Sequence, residues 1–273
     1  MNLGLGLGIN KGGFLETAPP YFAMTIDSTK AGTPSDQFQF TGALGQYNVD
    51  AVQNNVIVQS YIGLVDQQTI TLPSAGIYQV RVHPTGSNPF NRIKFNFNLS
   101  GLDKDKVLSI DSFGTNVFWS SFERSFGGCD NLVEIKQPIY NGQNVTNLAN
   151  GFRCKLSTLP RNIFDNCKNA ISFDRTFFDN ILIDLPEGVF NKNKLVTDFS
   201  QVFDKNTLST VSLSRLYIEL SITNTQNNVP FHGGNGFYDP NFSFTVKGVT
   251  KTTGQARQDL INRGWSLTDG GSI

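Results

Sequence analysis

A spacing of 25 or 26 residues recurs through the middle of this 273-residue chain and constrains its fold more than any other feature. Two series of apolar residues keep this spacing between residues 122 and 203. The first series is Phe126, Phe152, Phe178 and Phe203, and the second is Phe122, Leu148, Phe173 and Phe199. Several positions that share one period in the range of about 20 to 29 residues predict stacked repeats of the leucine-rich type.

Each repeat unit combines two local patterns. Two aromatic residues stand four positions apart, as in Phe122 and Phe126, and this spacing predicts a short helix with both rings on one face. The Leu-x-x-Leu segment that follows, as in Leu156 and Leu159, predicts a short strand, and the proline after it starts a new turn. One unit cannot bury its apolar face alone, so we expect the phenylalanines to form a buried core between units rather than a surface for stacking carbohydrate.

Residues 21–98 carry a different pattern. Hydrophobic residues alternate with polar ones in short runs separated by glycine and proline, which predicts short antiparallel strands. The alternating residues are Phe22, Met24 and Ile26; Phe38 and Phe40; Val56 and Val58; Ile70 and Leu72; Tyr78, Val80 and Val82; and Ile93, Phe95 and Phe97. Six or seven strands at this spacing favour an immunoglobulin-like β-sandwich.

The end of the chain predicts a cap, residues 221–273, on the repeat region, residues 99–220. A stack of units leaves an apolar edge at its last unit, and that edge needs a terminal seal. We expect Ile218 and Leu220 to lie in a last strand of the stack or in the remnant of a further repeat. The predicted fold class is therefore mainly β with short helices, arranged as an N-terminal Ig-like β-sandwich, a leucine-rich-repeat-type solenoid and a C-terminal cap.

Within the cap, residues 253–263 predict a helix. Thr252 or Thr253 can cap its N-terminus, and Gly264 stands where a C-terminal glycine is favoured. The segment after this glycine, residues 265–267, predicts a closing strand.

The first 20 residues differ from the rest because branched apolar residues alternate with glycine. The branched residues are Leu3, Leu5, Leu7 and Ile9. In extended backbone this alternation places all four side chains on one face, and the glycines lose much conformational entropy on ordering. Such a segment needs a partner's groove or sheet edge. Residues 1–20 therefore predict an extended anchoring peptide that docks on a larger particle, and a disordered terminus is the alternative.

The charge balance narrows the classes of partner. The 22 basic and 22 acidic residues cancel, so no long-range field attracts nucleic acid or an anionic membrane. No apolar stretch approaches the roughly 20 residues of a membrane span. We therefore predict no nucleic-acid partner and no membrane partner, and a net charge near zero favours assembly with other copies or other proteins.

Residue types that carry chemistry are few and scattered. The two histidines, His83 and His232, have no metal-ligand spacing to other residues, and the three cysteines lack paired spacing and are expected to be buried. Residues 103–106, Asp-Lys-Asp-Lys, begin like a calcium loop but lack its glycine and distal glutamate, which predicts a solvated turn. We predict no catalytic residue, no cofactor and no metal; a glycosidase carboxylate pair, which needs only to meet in space, is the enzymatic alternative.

The glycine-rich residues 227–239 are the best candidate for a surface binding loop. The candidate binding residues are Phe231, His232, Phe237 and Tyr238. The alternative is that these aromatic side chains pack beneath the loop or against a neighbouring subunit.

Several motifs of the repeat region have the order and spacing of a known family. They are Lys106-Val107-Leu108-Ser109-Ile110-Asp111 with Phe113-Gly114, Phe122-x-x-x-Phe126-x-x-Cys129-x-x-Leu132, Leu159-Pro160-x-x-x-Phe164-x-x-Cys167, Leu185-Pro186-x-x-x-Phe190 and the closing Ala256-x-x-x-Leu260-Ile261-x-x-Gly264-Trp265. Together they resemble the BspA-like leucine-rich repeat surface proteins. The resemblance covers about residues 95–220 and part of the C-terminal segment. The sandwich lacks the Trp-Gly-Asp-Gly run that such modules often carry, and residues 62–66 stand near its place.

The resemblance implies a binding protein rather than an enzyme. The family occurs on bacterial surfaces and as structural or fibre proteins of bacteriophages, notably those of Bacteroidetes hosts. Because the chain shows no secretion signal and begins with the Gly/Leu segment, we expect a head or tail spike, fibre or decoration subunit at the virion surface. The expected partners are other virion proteins, further copies of the chain in a homo-oligomer, and a host surface glycan or protein. A bacterial cell-surface adhesin of the same family is the alternative.

Overall fold

The computed structural model describes residues 7–9, 15–95 and 103–273, and within these ranges the chain is mainly β with two α-helices, as predicted. The strands are β1 (Leu7–Ile9), β2 (Leu15–Thr17), β3 (Phe22–Asp27), β4 (Gln37–Gln39), β5 (Gln46–Gln53), β6 (Val56–Val65), β7 (Thr69–Thr71), β8 (Ile77–Pro84), β9 (Val107–Phe113), β10 (Glu134–Ile135), β11 (Pro230–His232), β12 (Ser243–Val246), β13 (Val249–Thr252) and β14 (Ser266–Thr268). The helices are α1 (Thr210–Thr223) and α2 (Thr253–Asn262), and a single 3₁₀ turn lies at Asp103–Lys106.

Six strands form the main sheet, in the order β10-β9-β3-β8-β5-β6. All neighbouring strands are antiparallel except β10 and β9, which are parallel. Strands β4 and β7 pair with each other in a separate two-stranded sheet. Because β9 and β10 follow residue 98, the main sheet combines strands of the expected sandwich with the first strands of the expected repeat region.

The alternation pattern misses β5 and predicts a strand at residues 93–97 that the described part of this segment does not form. Alternate residues of β5 do face the core, but its polar and small residues weaken the signal. Ile93 and Phe95 are buried as expected. The backbone there is irregular, since the amide of Phe95 donates to the carbonyl of Ser125 at 2.8 Å. Alternation therefore indicates one-sided burial, which irregular backbone can also provide.

Aromatic side chains join the main sheet to the repeat region in one core. The ring of Phe22 on β3 meets Trp119 edge to face, with 5.3 Å between centroids, and lies 6.4 Å from Phe126. The indole Nε1 of Trp119 donates to the carbonyl of Phe113 at 2.9 Å, so the polar atom of this buried ring has a partner. Phe126 opens the phenylalanine series of the repeats, so the core continues from one region into the other.

Backbone hydrogen bonds connect each unit of the repeat region to the next in one register. The amide of Phe122 donates to the carbonyl of Asn147 at 3.1 Å, and equivalent residues repeat this contact one unit later. The equivalent bonds run from Leu148 to Ser172 (2.9 Å), from Phe173 to Asp198 (2.8 Å) and from Phe199 to Pro230 (3.0 Å). Parallel bridges join Asn147 to Ser172 and Ser172 to Asp198. Equivalent residues of successive units therefore lie side by side.

The repeat phenylalanines stack in a buried column, as the spacing predicts. The ring centroids are 5.7 Å apart for Phe126 and Phe152, 6.1 Å for Phe152 and Phe177, and 5.7 Å for Phe177 and Phe203. The interplanar angles of these pairs are 11°, 19° and 7°, so the rings are stacked nearly parallel.

The predicted series is wrong at one position, because Phe177 and not Phe178 occupies the column. Phe177 is fully buried, whereas Phe178 is half-buried on the outside of the unit. The guanidinium of Arg153 lies 4.6 Å from the centre of the Phe178 ring, and the Nζ of Lys205 lies 4.9 Å from it. Phe177 and Phe178 both fit the spacing of 25 or 26 residues, so the sequence does not show which of them is buried. The direction in which the backbone points each side chain decides it.

The short helix predicted between the paired aromatic residues does not form. The chain makes a turn instead, in which the residue two positions after the first apolar residue has a positive φ. These residues are Arg124 (56°), Asn150 (55°), Arg175 (50°) and Gln201 (50°). A left-handed residue interrupts helical hydrogen bonding, so the amides of the turn are free to pair with the next unit.

The strand predicted at the Leu-x-x-Leu segment of Leu156 and Leu159 is not a regular strand either. The amide of Leu156 donates to the side-chain Oδ1 of Asn180 at 2.7 Å, and the Nδ2 of Asn180 donates to the carbonyl of Phe152 at 2.8 Å. One unit later, the Oδ1 of Asn206 accepts from the amide of Leu182 at 3.1 Å, and its Nδ2 donates to the carbonyl of Phe177 at 2.7 Å. A side chain thus takes the place of strand pairing and satisfies backbone groups in the interior.

The Asp-Lys-Asp-Lys segment is not the solvated turn that the sequence predicts. Asp103 and Lys106 are fully buried, with 3.5 Å between Oδ1 and Nζ. The carboxylate of Asp103 accepts from the amide and hydroxyl of Thr33, at 2.6 and 2.7 Å, and from the amide of Gln39 at 2.6 Å. The Nζ of Lys106 donates to the carbonyls of Thr33 and Gln37, at 2.8 Å each. The pair fixes the loop before β4 against β9, and charge alone in the sequence does not reveal such partners.

Ile218 and Leu220, expected in a last strand, lie in helix α1 instead. The hydroxyl of Ser209 caps this helix by accepting from the amide of Ser212 at 3.2 Å. Its buried residues recur every three or four positions, which is the helical period that a short apolar run obscures. They include Leu213, Leu216, Tyr217 and Leu220.

The rest of the C-terminal segment follows the prediction. The hydroxyl of Thr252 accepts from the amide of Gln255, whose side chain bonds back to the amide of Thr252 in a capping box. Gly264 follows the helix with a φ of 81°. Strand β14 pairs in parallel with β11, whose Pro230 accepts the amide of Phe199 from the last unit.

The first 20 residues contain two short strands, β1 and β2, which pair antiparallel. Leu7 and Ile9 lie in β1, and docking of this segment on a larger particle stays a prediction. An extended segment can take its hydrogen bonds from its own neighbour as well as from another protein. Leu3 and Leu5 lie outside the described residues.

We predict that Phe177→Ala and Phe178→Ala differ widely in stability. Truncation of Phe177 leaves a cavity in the ring column and lowers the free energy of unfolding by about 3 to 5 kcal/mol. Truncation of Phe178 removes cation–π contacts worth about 0.5 to 1 kcal/mol each. Urea denaturation followed by circular dichroism measures both, and equal losses would contradict the placement of Phe177.

We predict that Lys106→Met destabilises the fold by about 3 to 5 kcal/mol, because it leaves Asp103 charged and unpaired in the interior. The matched control is Lys104→Met. Lys104 pairs with Asp105 at 2.9 Å but is partly exposed, so this change is expected to cost about 0 to 1 kcal/mol. Chemical denaturation of both variants checks the difference, and a mild effect at Lys106 would show that the buried pair is dispensable.

Candidate functional site

The repeat region presents a surface on which exposed side chains of successive units lie side by side. We call it the Ile181 face, and its residues are Val133, Lys155, Ser157, Ile181, Ile183 and Thr207. In each unit the outward residues flank one leucine that points inward and is buried. These leucines are Leu156, Leu182 and Leu208. The amide of Ile181 donates to the carbonyl of Leu156 at 3.0 Å. The amide of Ser209 donates to the carbonyl of Ile183 at 2.7 Å. The backbone therefore holds the face in register.

Two isoleucines make the centre of the Ile181 face apolar. The exposed fraction is 55% for Ile181 and 61% for Ile183. Ser157 in the preceding unit and Thr207 in the following unit are polar and exposed. An apolar centre with a polar rim is typical of a surface that binds another macromolecule.

A polar depression of about 210 Å³ adjoins this face. It is lined by Lys104, Gly128, Asp130, Arg153, Cys154 and Asp179. The Nζ of Lys155 lies 3.2 Å from Oδ2 of Asp179 and links the depression to the Ile181 face. Charged groups of both signs stand here, so the rim can hydrogen-bond to a polar ligand without favouring one sign of charge.

Sequence reasoning did not single out Ile181 and Ile183. The signal lies in the comparison of units: the triplets are Lys155-Leu156-Ser157, Ile181-Leu182-Ile183 and Thr207-Leu208-Ser209. Only the middle triplet is apolar at its two outward positions. Once the inward leucine is fixed, isoleucines on both sides of it must face solvent or a partner.

Phe231, the first candidate of the predicted binding loop, is buried and cannot bind at the surface. It is 2% exposed, and its ring centroid lies 5.4 Å from that of Tyr217 and 6.2 Å from that of Phe199. The pairing of β11 with β14 turns this side chain inward, so the alternative, packing beneath the loop, holds for Phe231. His232 is half-buried, and its Nδ1 accepts from the amide of Gly234 at 3.2 Å.

The other two candidates of the loop differ from each other. Phe237 is 50% exposed and remains available for a partner. Tyr238 is half-buried, and the guanidinium of Arg257 lies 4.1 Å from the centre of its ring. The structure therefore does not bring the four predicted residues together on one surface.

The side chain of Arg257 contacts two aromatic rings and a carboxylate inside the C-terminal segment. Its guanidinium lies between the rings of Tyr238 and Tyr217, at 4.1 and 4.6 Å from their centres. The carboxylate of Asp269 accepts hydrogen bonds from Arg257 and from the hydroxyl of Tyr217. Burial, together with nearby Asp269, raises the pKa of Tyr217. These contacts tie the end of the chain to α1 and indicate a structural role.

All three cysteines are unpaired and buried, as predicted. Burial raises the pKa of Cys129 and of Cys154, and it raises the pKa of Cys167 to about 12. Burial therefore favours the protonated thiol at neutral pH, and a protonated thiol is a weak nucleophile and a weak metal ligand.

Two further kinds of feature are absent from the described ranges, a metal-ligand cluster and a membrane-spanning helix. No group of three or more histidines, cysteines and carboxylates in those ranges is placed to hold a metal ion. In the same ranges neither helix has the length and apolar character needed to cross a membrane.

No protein-family model, no curated protein and no solved structure matches the chain.

One carboxylate near the last unit is strongly perturbed. Burial raises the pKa of Glu219 on α1 to about 7, although the amide of Gly188 and the cation of Arg215 favour its charged form. The Gly188 amide donates to Oε1 at 2.9 Å, and the Nε of Arg215 lies 3.5 Å from the same oxygen. Glu219 is 2% exposed, so its ionisation is coupled to the stability of the fold.

We predict that this coupling makes the fold less stable at alkaline pH. The folded state holds the Glu219 proton more tightly than the unfolded state. The resulting contribution to the free energy of unfolding totals about 3 kcal/mol. It is present below the pKa that Glu219 has in the unfolded state, and it is lost as pH rises through about 7. Glu219→Gln keeps an oxygen for Gly188 and should remove this part of the pH dependence. Urea denaturation between pH 4 and 8 tests this, with Glu134→Gln, at an exposed position on β10, as the control that retains it.

Proposed function

We propose that this chain is a non-catalytic structural protein of a bacteriophage particle, a spike, fibre or decoration subunit of the head or tail. It displays its repeat region at the virion surface as a binding surface. The observation that carries the proposal is the Ile181 face, where two exposed isoleucines sit on hydrogen-bonded units. A backbone that is ordered before binding loses little entropy when a partner binds, which suits recognition.

The proposal includes the finer architecture, an Ig-like β-sandwich followed by a leucine-rich-repeat-type solenoid with a C-terminal cap. The sandwich is supported by the main sheet together with the β4–β7 pair, whose Phe38 packs against Phe95 in the shared core, with 6.2 Å between ring centroids. The solenoid is supported by the unit-to-unit register and by Cys154, Asn180 and Asn206, which recur at intervals of 26 residues. Leucine-rich repeats carry asparagine or cysteine at such an interior position.

The partners that fit this proposal are other virion proteins and a host surface glycan or protein. The assignment to a virus rests on the resemblance to BspA-like proteins, some of which are phage structural proteins. In this proposal residues 1–20 dock the chain on the particle, and the Ile181 face points away from it. A bacterial cell-surface adhesin uses the same surface in the alternative.

We expect purified phage particles to contain the chain at stoichiometric copy number by mass spectrometry. Particles that carry Ile181→Asp with Ile183→Asp should incorporate the chain normally but adsorb to host cells at least about tenfold less well, because two carboxylates in an apolar contact remove well over 1.4 kcal/mol. Adsorption kinetics measure this effect.

The matched control is Ile171→Asp. Ile171 is 49% exposed but lies on a different segment of its unit, so adsorption should stay at the wild-type rate. Detection of the chain only in bacterial envelopes would favour the adhesin. Unchanged adsorption of the double variant would remove the Ile181 face from host attachment.

A further inference from the structure

Strand β6 forms an exposed edge of the main sheet. It is the last strand of the sheet and pairs on one side only, with β5. Eight of its ten residues are exposed, and most of these are apolar. The exposed apolar residues are Val56 (61%), Ile57 (51%), Val58 (39%), Ile62 (83%) and Val65 (45%). A long apolar edge offers unpaired backbone groups and apolar side chains to another strand.

The opposite edge of the same sheet is covered. Next to β10 the following unit continues the hydrogen bonding, since the amide of Lys155 donates to the carbonyl of Leu132 at 3.2 Å. Within the part of the chain that the structure describes, no strand does the same for β6. The sheet is therefore continued at one end and open at the other.

Strand β6 also carries neither of the residue types that usually protect an open edge. Natural edge strands carry charged residues or proline that prevent pairing. The ten residues of β6 include neither. Its pairing with β5 has two irregularities, one next to Gly63, whose amide donates to the side chain of Asn48 at 2.8 Å. They bend the hairpin but place no charge on its edge.

We propose that β6 pairs antiparallel with β6 of a second copy of this chain, so that two main sheets become one continuous sheet across a two-fold axis. The inference does not depend on the proposed function.

The second copy fits because of symmetry and charge. A two-fold axis sets the strand against itself, so any charge on β6 would meet a like charge. An uncharged strand meets no such repulsion. Its two ends, at residues 56–58 and 62–65, are both apolar, so antiparallel pairing sets the apolar start of one strand against the apolar end of the other. The turn before β6 is tight, with Asn54 and Asn55 both at positive φ, and it presents the edge as part of a rigid hairpin.

Analytical ultracentrifugation of the full chain tests the proposal. The wild-type chain should sediment as a dimer in the micromolar range. Val58→Lys or Ile62→Lys should raise the dimer dissociation constant at least about tenfold, since each substitution enters the two-fold contact twice. The matched control is Ile183→Lys, which adds the same charge at an exposed isoleucine outside the sheet edge and should leave the dimer intact.

A cross-link gives a second readout that does not depend on affinity. All native cysteines are buried, so a cysteine at an exposed position is the reactive one. Ser60→Cys, at the middle of β6, should form a disulfide-linked dimer under mild oxidation, because this register sets residue 60 against itself, whereas Ser157→Cys on the Ile181 face should not. A monomeric wild-type chain, open-ended polymers, or lysine variants that dimerise like wild type would each overturn the proposal.

Discussion

The amide of each unit donates to a carbonyl of the next unit, and this hydrogen bond is the constraint on which the rest of the structure depends. It fixes equivalent residues side by side, as Phe122 does with Asn147 and Phe173 with Asp198. Neighbouring backbones in such a register lie about 4.8 Å apart. Aromatic rings at equivalent positions must then stack, and outward residues must form ordered rows. The buried column and the Ile181 face are two results of one register.

The main sheet supplies the first surface on which this register is built. Parallel pairing of β10 with β9 begins the unit-to-unit bonding, and Trp119 carries the core from Phe22 towards Phe126. The buried pair of Asp103 and Lys106 lies at the start of β9 and holds the loop before β4 in place. The junction between the two regions is therefore made of packed rings and satisfied charges rather than of a linker.

The period, the burial of the phenylalanines, the mainly β class and helix α2 could all be predicted, because each follows from side chains that recur or cap locally. The choice of Phe177 over Phe178 could not, since both fit the period and backbone direction decides between them. The positive φ of Arg124 and Arg175 could not either, because arginine gives no local signal for it. The partners of Asp103 lie about 70 residues away in sequence, so its burial depends on tertiary contacts. Of the site, only the exposure of Phe237 followed from the loop pattern; the Ile181 face needs the units to be aligned.

The hydrogen bond from Phe199 to Pro230 closes the last unit with β11, which belongs to the C-terminal segment. Strand β11 thus places a backbone carbonyl where a further unit would place one. Gene duplication could lengthen the array by inserting a whole unit before β11, since donor and acceptor would still match at both joints. A difference of one residue between units is tolerated, because 26 residues separate Phe126 from Phe152 and 25 separate Phe152 from Phe177, yet both pairs of rings stack. The length of this protein can therefore evolve in steps of one unit, with its two ends unchanged.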